Sequence, residues 1–211
     1  MCFKTFFSYR MIKRVIDLVL SLVLILLFSP IFVIIFILIK LTSKGSVFHK
    51  TERLGKNNSR FIKYKFRTMV PNGEEILKKI LKENHKLKEE YTNNYKIKND
   101  PRVTKIGKLL RKYSLDELPQ FINVLKGDMS LVGPRDILEQ ELNDHYSHCK
   151  DKLLSVKPGI TGLWQVSGRS KLTYEERVKL DMLYIENRSL WFDFKIILKT
   201  PLVMMQGDGA L

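Results

Sequence analysis

Residues 111–136 read RKYSLDELPQFINVLKGDMSLVGPRD. Ser114-Leu115-Asp116-Glu117 has the S-x-x-E spacing of a capping box, so a helix is expected to start there. Pro119 lacks an N–H and suits a first helical position, which offers a second start near Leu118. The apolar run that follows should end at Gly127 as a C-cap, with Gly133-Pro134-Arg135 as a turn. In either register Asp116 and Glu117 lie at the mouth of a helix. Arg111 and Lys112 precede them and Arg135 follows. The helix dipole and these cations are expected to hold both carboxylates ionised. By spacing alone, a capped helix followed by a solvated turn is a sufficient description.

Outward toward the N-terminus, residues 18–39 carry no charge over 22 positions. At 1.5 Å per residue this is roughly 33 Å, just long enough to span a bilayer core. No small-x-small cleavage site follows, which argues against a signal peptide. Ser29-Pro30 divides the run into arms of 12 and 9 residues, roughly 18 and 14 Å, neither able to cross alone. Proline removes one helical hydrogen bond, and the neighbouring serine hydroxyl can satisfy the freed carbonyl. Both flanks are basic: Lys4, Arg10, Lys13 and Arg14 before, Lys40, Lys44 and Lys50 after. The positive-inside tendency then favours both ends on one side. A proline-kinked spanning helix and a helix-break-helix dipping into one leaflet both fit.

The formal charge of +15 and pI of about 9.8 point to anionic partners: acidic headgroups, phosphorylated substrates or nucleic acid. Nucleic acid lacks a helix-turn-helix, RRM or zinc-finger pattern to support it. Cys2 and Cys149 form no disulfide framework. His145, His148 and Cys149 offer no second ligand pair, so a polar helix end describes them better than zinc. Residues 40–67 hold nine Lys/Arg and one acid, Glu52, a cluster suited to anionic lipid. Within it Ile62, Tyr64, Phe66 and Thr68 alternate with Lys63, Lys65 and Arg67. This predicts a strand with one apolar and one cationic face. Lys65 and Arg67 are then phosphate-facing candidates, or edge lysines and arginines that guard a strand. A charged helix is expected over residues 74–90, a linker over 93–98, and a helix before Arg111. Residues 139–154 and 174–187 should be helical. Residues 191–198 and 201–205 suit a segment lying in the membrane interface, or a helix buried in the core. A mobile tail is expected over 207–211.

The run Pro158-Gly159-Ile160-Thr161-Gly162-Leu163-Trp164-Gln165-Val166-Ser167-Gly168-Arg169 matches neither a P-loop nor a dinucleotide fingerprint. On its own it reads as a glycine-bounded hairpin with a packed tryptophan.

Together these residues resemble the bacterial sugar transferase family, the monotopic phosphoglycosyl transferases. The resemblance rests on SLDELPQ at 114–120, NVLKGDMS at 123–130, Gly133-Pro134-Arg135, KFRTM at 65–69, PGITG-x-x-QV-x-GR at 158–169 and Leu180-Asp181-x-x-Tyr184. Lys13-Arg14-x-x-Asp17 at the helix entry fits as well. It runs from Lys13 to about Thr200, weakest over 74–98, with no transmembrane bundle before it, as in a minimal member. It implies an α+β fold, predominantly helical, with a re-entrant membrane helix broken at Ser29-Pro30, interfacial amphipathic helices and a small β element around the active site. Three segments are expected: 1–40 in the membrane, a catalytic domain over 41–200 facing the cytoplasm at the inner membrane, and a tail over 201–211.

The implied reaction moves a sugar 1-phosphate from a nucleoside diphosphate sugar, a UDP-sugar, to polyprenyl phosphate. It is the first membrane step of a capsule, exopolysaccharide, O-antigen or glycoprotein glycan, with downstream glycosyltransferases as further partners. On that reading Asp116 is the nucleophile and forms a phosphosugar–aspartyl intermediate. Asp116 and Glu117 would hold Mg²⁺ (or Mn²⁺). Arg111, Arg135 and Arg169 would neutralise phosphate charge. Gln165 would join Arg169 at the substrate. Asp181 would orient an arginine, bind nucleotide, or only form a surface ion pair. The family pattern reads Gly-Pro-Arg-Pro, whereas this chain has Asp136 in the fourth place, a carboxylate able to pair with Arg135 or bend the loop. The competing class is a non-catalytic, membrane-tethered basic scaffold.

Overall fold

A computed structural model describes residues 2–94, 97 and 99–206. Apart from Asn93, Asn94 and Ile97, the expected linker lies outside the described residues, as does the tail over 207–211. The fold is mostly helical with two small sheets.

Helix α1 (Cys2–Thr42) is one unbroken run that contains Pro30. Residues 9–42 are long and apolar enough to cross a membrane by length and composition. The two expected arms belong to this single helix, and the break is local to its hydrogen-bond ladder. Pro30 has no N–H to give the Leu26 carbonyl, and the Ser29 hydroxyl donates to that carbonyl instead, at 2.8 Å. One stripe of α1, including Asp17, Ser21, Ile35 and Ile39, is buried against the rest of the protein. The opposite stripe, including Val19, Leu22, Leu26, Val33 and Leu41, is exposed. Helical periodicity of 3.6 separates the two.

Both ends of the apolar run dock on the same body. At the entry, Arg14 Nη1 and Nη2 donate to the carbonyls of Val124 and Leu125 at 2.6 and 3.0 Å. Asp17 accepts from Ser130 Oγ at 2.8 Å and Leu131 N at 3.0 Å. At the exit, Phe32 meets Phe66 edge-on with ring centroids 5.3 Å apart. Arg67 donates to the carbonyls of Ser43 and Lys44.

Strands β1 (Phe48–Leu54) and β2 (Arg60–Phe66) form an antiparallel hairpin in register from Phe48↔Phe66 to Leu54↔Arg60. Its turn holds Asn57 and Asn58 at φ 56° and 61°, left-handed backbone that asparagine tolerates. Both faces of β2 are used: Lys63 and Phe61 are buried on one and Phe66 on the other, while Ile62 is exposed. Two helices, α2 (Gly73–Glu83) and α3 (His85–Asn94), replace the single one expected. Asn84 has extended backbone between them, and its Oδ1 accepts from Leu87 N at 3.1 Å, capping α3.

Helix α4 (Lys105–Lys112) leads to α5 (Gln120–Lys126), which ends at Gly127 as expected, with φ 92°. Strand β3 (Ser130–Val132) pairs in parallel with β4 (Gly159–Thr161), so the glycine-rich run forms a strand and a helix rather than a hairpin. Gly133 and Gly159 touch backbone to backbone. A Cβ on Gly133 would stand 2.6 Å from Gly159 N, and one on Gly159 would stand 2.1 Å from Gly133 N. The two motifs are therefore one structural unit.

Helices α6 (Glu139–His145), α7 (Lys150–Leu153), α8 (Leu163–Ser167) and α9 (Tyr174–Asn187) complete the body. Helix α10 (Leu190–Gln206) continues through Pro201. Its Asp193 and Ile196 are buried, and Trp191, Phe194, Leu198, Leu202 and Met205 form an exposed stripe. That is the amphipathic pattern expected of an interfacial helix. The core joins the second half of α1 to the hairpin, α5, β3, α9 and α10.

Candidate active site

The chain leaves α4 and bends sharply at Ser114, which has left-handed backbone at φ 54°. A single 3₁₀ turn, Leu115–Glu117, carries the carboxylates, and Pro119 at φ −62° precedes α5. Ser114 makes no side-chain cap, so the expected capping box is absent. The helix starts where the proline allows it, at Gln120. Asp116 and Glu117 occupy the turn between two helices.

Strand β2 brings its lysines to this turn. Lys65 Nζ lies 2.6 Å from Glu117 Oε1 and 3.7 Å from Asp116 Oδ2. The two acids respond differently. Burial pushes the Asp116 carboxyl up, against the pull of Lys65. Burial alone would also raise Glu117, but Lys65 and Lys63 outweigh it and bring Glu117 down to about 2. The two carboxylates are therefore held unequally: burial works against the charge on Asp116, while the lysines more than offset it at Glu117.

Asp136 does not pair with Arg135. It accepts from Lys63 Nζ at 2.6 Å and lies 2.9 Å from Arg53 Nε. Burial would raise Asp136, yet Lys63 and Arg53 hold it well below the usual carboxylate range. Burial in turn draws Lys63 down to about 8. Sequence inspection missed this Arg53–Asp136–Lys63 network. Its only signal was an acid in a place where the family motif has proline.

The three candidate arginines stand on different elements. Arg111, on α4, donates from Nε to Thr68 Oγ1 at 3.0 Å. Burial lowers its pKa, opposed by the nearby charges of Asp116 and Asp100. Arg169, just after α8, has left-handed backbone at φ 55° and donates from Nη2 to Ser114 Oγ at 2.8 Å. Its Nη1 is buried with no hydrogen-bond partner among the described residues. Arg135 donates from Nη2 to Glu141 Oε1 at 3.4 Å. Its backbone N–H donates to Asp181 Oδ1 at 3.2 Å.

Asp181 is fully buried, so it is no surface ion pair. It also accepts from Tyr146 OH at 2.9 Å, and burial pushes its carboxyl to about 7. Gln165 Nε2 donates to the Ile160 carbonyl at 3.4 Å, and its Oε1 is buried and unpartnered among the described residues. Arg67 is committed elsewhere, to Ser43 and Lys44 at the end of α1. Asn123 was also missed. It is wholly buried, accepts from Tyr64 N at 3.1 Å and donates to the Ile62 carbonyl at 2.7 Å, fixing β2 against α5. An asparagine inside the apolar run FINVL was its signal.

No group of three His, Cys, Asp or Glu side chains stands ready for a metal among the described residues. His145 stacks on Tyr174, 4.0 Å between ring centroids. Asp116 and Glu117 nonetheless fit a hard cation. Each turns one oxygen to Lys65, which leaves Oδ1 and Oε2 outside that contact. Two carboxylates plus substrate phosphates are a common Mg²⁺ donor set.

Comparison with known proteins identifies the family. Residues 8–207 match the model of the family described as bacterial sugar transferase. The chain is 48% identical over 166 residues to the undecaprenyl-phosphate galactose phosphotransferase of Salmonella typhimurium, covering 79% of this chain and 35% of that protein. It is 45% identical over 172 residues to the exopolysaccharide production protein ExoY of Rhizobium meliloti, covering 82% and 76%. It is 39% identical over 183 residues to the UDP-N-acetylgalactosamine-undecaprenyl-phosphate N-acetylgalactosaminephosphotransferase of Aeromonas hydrophila, covering 82% and 38%. The chain thus spans little more than a third of the first and third of these, and about three quarters of the second. With a family match over nearly its whole length, the chain belongs to the bacterial sugar transferase family.

Proposed function

We propose that the protein transfers a sugar 1-phosphate from a nucleoside diphosphate sugar, a UDP-sugar, to polyprenyl phosphate at the membrane surface. The observation that carries this reading is Asp116. It is buried on a turn that begins in left-handed backbone, with the Lys65 ammonium 3.7 Å away and the Arg111 guanidinium close enough to act on its charge. A desolvated carboxylate kept near cations is a nucleophile suited to a phosphoryl centre. The names of the Salmonella and Aeromonas relatives support the same acceptor and donor classes.

Asp116 attacks the phosphorus that bears the sugar. The P–O bond to the nucleoside monophosphate breaks, and a phosphosugar–aspartyl intermediate, an acyl phosphate, forms. An oxygen of polyprenyl phosphate then attacks the same phosphorus, the P–O bond to Asp116 breaks, and the carboxylate is restored. Lys65 orients the dyad, while Arg111, Arg135 and Arg169 receive phosphate charge. Asp116 Oδ1 and Glu117 Oε2 would hold Mg²⁺, which supplies charge neutralisation for the substrate phosphates.

Helix α1 enters and leaves a single leaflet in this reading, with the body on the cytoplasmic face of the inner membrane. Docking of both its ends on one body supports that, since a spanning helix would separate them by the bilayer. The exposed stripe of α10 supports seating at the interface.

Membranes containing the protein should release UMP from a UDP-sugar only with polyprenyl phosphate and Mg²⁺ present, and a panel of UDP-sugars identifies the donor. Asp116→Asn should abolish release while still sedimenting with membranes. Undiminished turnover in that variant overturns the nucleophile assignment.

A further inference from the structure

The space around Trp164 holds more buried N–H donors than its surroundings satisfy. Arg177, on the first half of α9, is 5% exposed. Its guanidinium lies over the Trp164 ring at 5.5 Å and the Tyr174 ring at 4.9 Å from the centroids. Its Nε is buried with no hydrogen-bond partner among the described residues. Arg135 rests on the same indole at 5.1 Å, and its Nε is unpartnered in the same way. Trp164 Nε1, a donor only, is the third such group. All three are donors, and all three gather at one ring.

Cation–π contact offsets part of the cost of burying a guanidinium, but an aromatic face gives its N–H groups no lone pair. The nearby acids are already engaged. Glu141 accepts from Arg135, from Tyr174 OH at 2.8 Å and from Leu138 N at 2.9 Å. Asp181 accepts from Tyr146 OH and from Arg135 N. No carboxylate forms an ion pair with Arg177 among the described residues. Burial lowers the Arg177 pKa and the adjacent Arg135 lowers it further, opposed by Tyr174, Tyr146 and Glu141. An uncompensated buried cation is costly, so a fold that keeps one has a use for it.

We propose that Arg177, together with Arg135 and the Trp164 indole N–H, forms a pocket for a phosphoryl anion of a substrate. Arg177 is then a substrate-binding residue of the site described above. The identity of the substrate rests on the transferase reading; the anion chemistry does not. Arginine fits the role better than lysine because its planar fork can give two parallel hydrogen bonds to one phosphoryl group.

The chain has two tryptophans, Trp164 and Trp191, so Trp191→Phe makes Trp164 the only one. Full-length Trp191→Phe protein in detergent is titrated with UDP and, separately, with a short-chain prenyl phosphate, reading tryptophan fluorescence. A saturable response is expected with at least one probe. Adding Arg177→Gln should weaken that response about tenfold in Kd, with the melting temperature checked alongside. Loss confined to UDP places the donor diphosphate in the pocket. Loss confined to prenyl phosphate places the acceptor there. Should Arg177→Gln not fold, Arg177→Lys replaces it, with an expected three- to tenfold weakening, roughly, from the lost fork. The proposal falls if a folded Arg177 variant binds both probes with unchanged Kd, or if neither probe moves the Trp164 signal. If UMP release fails in the wild type while the Arg177-dependent signal persists, the pocket stands and the transferase reading fails.

Discussion

Arg169 Nη2 donates to Ser114 Oγ at 2.8 Å, and both residues hold left-handed backbone, at φ 55° and 54°. Left-handed conformations of non-glycine residues are unfavourable and persist where surroundings impose them. Here each strained residue is braced by the other across the site. The bond fixes the turn that presents Asp116, two residues beyond Ser114.

This pair should therefore be coupled. Ser114→Ala and Arg169→Ala should each lower kcat/KM for UMP release, and the double variant should lose less than the two losses combined. The coupling should be about 1–2 kcal/mol, roughly tenfold in rate. Strictly additive losses would show that the bond does not position the turn.

The acid limb of the pH–rate profile should report Asp116. Protonated, Asp116 is no nucleophile. Burial raises its pKa, so activity should fall away above the ordinary aspartate value of about 3.9. Glu117, at about 2, stays ionised throughout this range. Lys65→Met removes the cation that favours the Asp116 carboxylate, so the limb should move to higher pH. A limb that stays in place in Lys65→Met would contradict the assignment.

The Asp136 network should be stabilising and pH-dependent. The folded pKa of Asp136 is depressed, so its contribution is present above about pH 4 and is lost as the pH falls. Asp136→Asn should destabilise the protein by about 3–5 kcal/mol at pH 7, because Lys63 would remain buried without its carboxylate. Pairing it with Lys63→Met should restore most of the loss. Thermal melts of the wild type and both variants at pH 7 and at about pH 3, below the unfolded aspartate value, check both claims, the Asp136→Asn deficit shrinking at the lower pH.

Both ends of α1 should face the same side of a membrane. Single cysteines in place of Arg10 and Lys44 should react with an impermeant maleimide from the cytoplasmic side only. Labelling of the first from one side and the second from the other would establish a spanning helix. Ser29→Ala should cost about 1 kcal/mol, since it strips the Leu26 carbonyl of its donor.

Local chemistry made much of this legible before any coordinates. The C-cap at Gly127, the helix over 174–187 and the serine hydroxyl relieving the proline gap each follow from a residue and its immediate neighbours. What escaped was long-range. Periodicity finds two faces of β2 but does not say which is inward; Lys63 turns inward to meet Asp136, 73 positions away, while Phe66 is buried on the other face. The raised Asp116 carboxyl depends on burial by elements remote in sequence. Ser114 read as a cap because its spacing to Glu117 is right, yet its hydroxyl serves Arg169, 55 positions on. Arg177 carries no signal in the sequence, because its contacts with Trp164 and Arg135 join elements remote along the chain.

The contact of Arg14 with the last carbonyls of α5 has a consequence for reach. Helix α5 begins three residues after Glu117, so the anchor grips the same short rod that carries the catalytic turn. With α1 seated in a bilayer, the height of Asp116 above the lipid is set by a rigid junction and not by a tether. On the proposed reading the helix works as a ruler, holding Asp116 at the level where a lipid phosphate floats. A version cut after residue 40 would lose that calibration along with its attachment, and detergent alone would not return it.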